Sequence, residues 1–216
     1  MERTNAIASP PDISGCILAG GLSRRMGRDK PLLNVDGETL ISRVIARLRP
    51  QVARVAINAN GDPARFDALA CPVLADPFPG HPGPLAGILA AMDDAGSAGY
   101  ERVATVAADT PFFPCNFVER LAAGDSAVIS VAASGERVHP VFALWPVLLA
   151  PALRDHLKDE GDRSVMRFVR AQRHRIVAFP PSSDGGDAFF NVNTPEDLAV
   201  ARRRAQSREK SFDGEV

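Results

Sequence analysis

Short apolar runs alternate with amphipathic stretches along most of this chain. Ile13, Cys16, Ile17 and Leu18 form a run with the length and flanks of a buried strand. Leu32 to Val35 reads as a short extended piece closed by the turn Asp36 and Gly37. From Glu38 to Arg49, Leu40, Ile41, Val44, Ile45 and Leu48 recur at helical spacing with arginines opposite, which predicts an amphipathic helix packed on a sheet. Val52 to Asn58 reads as a second strand and Val73 with Leu74 as a brief third. A helix then follows from Leu85 to about Asp94, carrying Ile88, Leu89 and Met92. Arg102 to Ala108, rich in small and β-branched residues, predicts a strand covered on both faces. Val128 to Ala133 and Val138 to Leu144, joined by Ser134, Gly135 and Glu136, predict a hairpin.

Trp145 to Leu157 reads as a helix with Pro146 in its first turn and Pro151 at a kink or break. Arg163 to Ala171 reads as a short helix, Arg175 to Phe179 as a strand, and Phe189, Phe190 and Val192 as another. Thr194 as N-cap, Pro195 in the first helical position and Asp197 three beyond the cap open the last helix.

The first strand runs into LAGGLSRRMGRDK, Leu18 to Lys30. Gly20, Gly21 and Gly27 leave bare backbone whose N–H groups can converge on an anion, and Arg24, Arg25, Arg28 and Lys30 add mobile positive charge. That combination suits a polyphosphate. The spacing matches neither GxGxxG nor GxxxxGK[ST], since Lys30 is followed by Pro31. Asn58, Asp76 and Asp109 each fall at the carboxyl end of a predicted strand. A carboxylate at that place on a central strand is suited to a hard divalent cation, although an aspartate before a helix also serves as a turn or cap residue. The proline- and glycine-rich stretch from Asp76 to Gly87 is irregular until Leu85, and serves either as a site element or as a connector. His139 is read either as a substrate contact or as a structural histidine at a strand start.

Composition narrows the classes. The chain has 216 residues, 45% of them hydrophobic, enough for one domain with a substantial core. A net charge of −1 gives no global pull toward nucleic acid or anionic membrane. Cys16, Cys71 and Cys115 show no CxxC spacing and are read as reduced thiols. No signal-peptide core and no run long enough for a bilayer span is evident, so a cytoplasmic location is expected. Residues 1–12 are expected to be a flexible N-terminus, 13–204 a single domain, and 205–216 a flexible C-terminal tail.

LAGG, SRRMGRDK, NAN, PGPLAG, DTPFF and NVNTPEDL, in this order between Ser14 and Ala201, resemble the molybdenum cofactor guanylyltransferase family. The resemblance implies a Rossmann-like nucleotidyltransferase fold, α/β, with a mostly parallel central sheet and helices on both faces. It implies transfer of GMP from GTP to molybdenum-loaded molybdopterin, releasing pyrophosphate, with Mg2+ as cofactor. Leu18, Ala19, Gly20 and Gly21 would then lie against the guanosine and phosphates, Lys30 would reach the phosphates, Asn58 and Asp76 would fix the nucleoside, and Asp109 would bind nucleotide and metal. Arg25 and Lys30 would carry the charge of catalysis together with Asp109. Asn191 to Asn193, Arg163, His139 and the loop Pro82 to Gly87 would face the pterin, and Asn193 is a candidate second metal ligand. Molybdenum-insertion proteins and apo-molybdoenzymes stay open as further partners, with neither nucleic acid nor membrane expected. A transferase using CTP or UTP, or a non-catalytic chaperone for the cofactor, are the competing readings.

Overall fold

The computed structural model describes residues 12–20, 29–78, 83–158, 164–182 and 186–212. Strand β1 (Ser14–Leu18) leads through a 3-10 turn at Lys30–Leu32 to the small ribbon β2 (Asn34–Val35) and β3 (Glu38–Thr39). Helix α1 (Leu40–Leu48) follows, then β4 (Arg54–Asn58), a 3-10 segment Pro63–Leu69 and β5 (Val73–Leu74). Helix α2 (Pro84–Ser97), β6 (Arg102–Ala107), α3 (Phe117–Ala122), β7 (Ile129–Ser134) and β8 (Arg137–Pro146) come next. The chain closes with α4 (Ala150–Lys158), α5 (Val165–Arg170), β9 (His174–Phe179) and α6 (Pro195–Phe212).

Among the described residues a seven-stranded sheet has the order β5-β4-β1-β6-β8-β7-β9, with β8 antiparallel to both neighbours and the other pairs parallel. The expected α/β class and mostly parallel sheet are therefore observed. The central parallel strands β1, β4 and β6 are buried on both faces. In β1, Ile17 packs with Ile41, Val44 and Leu48 of α1 and with Phe117 and Leu121 of α3, while Cys16 packs with Leu85, Leu89 and Met92 of α2. This alternation fixes strand register, because a slip by one residue would exchange the two faces. From β1 the chain steps outward to β4 and β5, then returns to β6 on the other side of β1. The strand order thus reverses between β1 and β6, and a crevice opens at the carboxyl ends of such strands.

Three sequence expectations change. Trp145 and Pro146 finish β8 instead of starting a helix, because the indole is fully buried and donates from Nε1 to Thr105 Oγ1 at 2.8 Å. Pro151 lies in the first turn of α4, where no N–H is required of it. Phe189, Phe190 and Val192 form no strand: Phe189 is buried against His139, Phe142 and Phe179, and the Val192 N–H donates to Asp109 O at 2.9 Å. The final helix packs through Ala201 and Ala205, a turn-spaced stripe buried on Val35, Leu40, Phe112 and Val192. Among the described residues no helix is long and apolar enough to cross a membrane.

Candidate active site

The carboxyl ends of β4, β1 and β6 lie side by side. Leu18 is level with Asn58 on one flank and Ala107 on the other. The sheet bonding runs one step past the strands, with Ala19 N–H donating to Asn58 O at 2.9 Å and Ala108 N–H to Leu18 O at 3.1 Å. The start of the glycine turn is therefore held on both sides, and Asn58 and Asp109 stand across it roughly two strand spacings, about 10 Å, apart. Ala19 is buried and Gly20 exposed at this rim.

On one flank, the Lys30 ammonium donates to Asp109 Oδ2 at 2.5 Å and to Asn193 Oδ1 at 2.7 Å. These residues are far apart in the chain. Three local structures join them: the 3-10 turn carrying Lys30, the end of β6, and the cap of α6. At that cap Asp197 Oδ2 accepts from both Asn193 N–H and Thr194 N–H at 2.9 Å, while Asp197 N–H donates to Thr194 Oγ1 at 3.1 Å. The Asn193 backbone N–H, seconded by Thr194, holds the Asp197 carboxyl below its ordinary 3.8. Thr110 Oγ1 adds bonds to Asp109 Oδ1 at 3.2 Å and to Asn191 Oδ1.

On the other flank, Asn58 Nδ2 donates to Leu74 O at 3.1 Å and to Asp76 Oδ1 at 2.9 Å, and Asn60 Nδ2 donates to Asp76 Oδ2 at 2.7 Å. Asp76 N–H returns a bond to Asn60 Oδ1 at 3.0 Å. Asn58 is 3% exposed, and Gly87, in the first turn of α2, lies against it: a Cβ there would sit 2.2 Å from Asn58 Oδ1. Gly83, which caps that helix, takes φ +84°, a value that glycine adopts without strain.

Of the residues expected from sequence, Leu18, Ala19, Gly20, Asn58 and Asp76 come together on one side, and Lys30 and Asp109 on the other. Gly21, Arg24, Arg25, Gly27, Arg28, Pro82 and Arg163 lie outside the described residues. Asn193, expected toward the pterin and as a second metal ligand, bonds Lys30, and Gly87 packs on Asn58. His139 is 7% exposed, stacked on Phe189 at 4.5 Å, with Nε2 2.7 Å from Ser134 Oγ, which donates to Asp187 Oδ1 at 3.0 Å. Burial holds the imidazole below its ordinary 6.5. This arrangement anchors the segment that leads to Asn191. Asn60, Arg65 and Asp29 were missed as site supports, although the second asparagine of NAN stood in the quoted motif.

Among the described residues no cluster of three His, Cys, Asp or Glu side chains is placed to hold a metal ion. One carboxylate with amide oxygens nearby does suit Mg2+, which retains waters and takes much of its coordination from substrate phosphates. The donor set at Asp109 and Asn193 thus fits a metal arriving on a triphosphate better than one caged by protein alone.

A family model of the MobA-like NTP transferase domain matches residues 15–176. A molybdenum cofactor guanylyltransferase of Mesorhizobium japonicum is 46% identical over 202 residues, covering 91% of this chain and 97% of that protein. One from Rhodopseudomonas palustris is 47% identical over 205 residues, covering 92% and 97%. The crystal structure of molybdopterin-guanine dinucleotide biosynthesis protein A from Archaeoglobus fulgidus superposes with TM-score 0.69 at 23% identity, covering 90% of this chain and 100% of that one. A mostly parallel sheet whose switch point sets the backbone of Leu18–Gly20 between a lysine–aspartate pair and a clamped carboxylate, in a chain that matches the NTP transferase domain, defines a nucleotidyltransferase. Within that class, the chain belongs to the molybdenum cofactor guanylyltransferase family.

Proposed function

We propose that the enzyme transfers GMP from GTP to the terminal phosphate of molybdenum-loaded molybdopterin, in the cytoplasm, releasing pyrophosphate. The observation that carries this reading is the seating of Lys30 on Asp109 and Asn193 beside the Leu18–Gly20 backbone. In the reaction, an oxygen of the pterin phosphate bonds to the α-phosphorus of GTP, and the bond from that phosphorus to the bridging oxygen breaks, pyrophosphate leaving with the electron pair. The nucleophile is already an anion, so the protein has no proton to remove. Charge is the obstacle, and it is met by positioning and electrostatics.

Lys30 is held at both ends of its reach by Asp109 and Asn193, so its ammonium is preorganised toward phosphate oxygens rather than sweeping solvent. Asp109 and Asn193 would hold Mg2+ through oxygen, and the bound ion would supply Lewis-acid neutralisation of the phosphates. The Asp76 carboxylate, fixed by two amide donors, keeps lone pairs for N–H or O–H groups of the nucleoside. Arg25, by the family resemblance, would add a further positive charge for the phosphates.

The test is pyrophosphate release with molybdopterin, Mg2+ and each of the four nucleoside triphosphates. GTP should be fastest, and Asp109→Ala and Lys30→Ala should each lower turnover by about 10²-fold or more while unfolding cooperatively. Faster incorporation of CMP or UMP would sink the guanine assignment, undiminished turnover in Asp109→Ala would remove the metal role given to that carboxylate, and no pyrophosphate release with any of the four triphosphates would point to the non-catalytic chaperone.

A further inference from the structure

The two flanks of the site are joined by one side chain that the reaction itself does not call for. Arg65 Nη1 donates to Asp29 Oδ2 at 2.7 Å, and Nη2 donates to the backbone oxygen of Asn60 at 3.0 Å. Asp29 is the residue immediately before Lys30 and caps the 3-10 turn that carries it, without a side-chain bond to that turn. Asn60 is the residue that grips Asp76 through both its amide nitrogen and its amide oxygen. The guanidinium lies over the Phe66 ring at 4.6 Å, and that ring is 1% exposed, so the arginine stem rests on a fixed platform. Its own segment, Pro63–Leu69, is pinned at the start by Asp62, whose side chain accepts from Ala64 N–H at 2.9 Å.

We infer that Arg65 is a positioning residue that couples the nucleoside carboxylate, through Asn60, to the phosphate lysine, through Asp29. The inference rests on the nucleoside role proposed for Asp76. A planar fork spans two acceptors in fixed geometry, and a lysine ammonium, a point charge on a flexible stem, does not reproduce it. Without the fork, Asn60 and the turn at Lys30 each lose a fixed neighbour, and ordering them falls to the incoming nucleotide. The deficit therefore belongs in binding, not in the displacement step, and it reaches ligands that have no nucleoside.

The experiment compares steady-state kinetics of wild type, Arg65→Ala, Arg65→Lys, Asp29→Asn and Asp76→Asn in the full chain, with MgGTP as substrate and pyrophosphate as product inhibitor. Arg65→Ala should raise the KM for GTP about tenfold with kcat within about threefold, the scale of one lost charge-assisted hydrogen bond. The inhibition constant for pyrophosphate should rise about threefold or more in both Arg65→Ala and Asp29→Asn, and Arg65→Lys should stay near Arg65→Ala. Unchanged pyrophosphate inhibition in both variants would overturn the coupling, as would full recovery in Arg65→Lys. Should Arg65→Ala fail to fold, Asp29→Asn and Arg65→Lys carry the same comparison. Asp76→Asn with a wild-type KM for GTP would remove the nucleoside reading and this inference with it. If Asp76→Asn raises that KM while Arg65→Ala leaves it unchanged, the coupling alone is overturned.

Discussion

Replacing Gly87 by alanine sets helix propensity against the site. In an ordinary helix interior the change stabilises by about 0.5–1 kcal/mol. Here the new methyl would lie 2.2 Å from Asn58 Oδ1, 2.9 Å from its Cγ and 3.2 Å from Leu18 Cδ2. Asn58 is the softest of these neighbours, so its carboxamide must swing away. That forfeits its bonds to Leu74 O and Asp76 Oδ1, about 1 kcal/mol for the neutral one and roughly 1.5–3 kcal/mol for the one to a carboxylate. The expected balance is a loss of about 2 kcal/mol in stability, with the KM for GTP up about tenfold or more. Urea unfolding followed by the fluorescence of Trp145, the single tryptophan and fully buried, measures the first, and GTP titration of turnover measures the second. The sign should reverse on an Asn58→Ala background, where the methyl meets no carboxamide. A Gly87→Ala enzyme that is both more stable and normal in KM would refute the claim that the Asn58 carboxamide position is fixed for the nucleotide.

Thr194→Ala should cost about 1 kcal/mol, a melting shift of about 2–4 °C by calorimetry, because it removes the acceptor for Asp197 N–H. His139 is held below 6.5 by burial, so the unfolded chain takes up its proton first. Its contribution is therefore complete above about pH 6.5 and declines as pH falls through the folded value. Urea midpoints at pH 7.5 and 5.5 should differ by less in His139→Gln than in wild type. Burial, with Asp94 nearby, pushes the Cys16 thiol up to about 12. A disulfide reagent at pH 8 should label exposed Cys115 in the native enzyme and Cys16 only after unfolding.

The strands that build the crevice were legible because burial on two faces leaves continuous apolar runs, as in β1 and β6. The cap at Thr194 was legible for a different reason: its chemistry is local, complete within Thr194 to Asp197. Trp145 was misread because what holds it in β8 is Thr105, a partner that helical spacing in its own neighbourhood cannot reveal. Phe189 to Val192 was misread for a related reason, since an apolar run records burial and not backbone bonding. The site was legible as end-of-strand polar residues, Asn58, Asp76 and Asp109. Its internal ties were not, because Asp29 and Arg65 look like ordinary surface charges until the loops that carry them are brought together.

The family match ends at residue 176, yet one of the two partners of Lys30, Asn193, lies beyond it. That stretch is secured from behind by Val192, Ala201 and Ala205 packing on Val35, Leu40 and Phe112, next to the turn that delivers the lysine. The last helix is thus a backstop for the chemistry: without it the ammonium would lose its amide partner and rest on the Asp109 carboxylate alone.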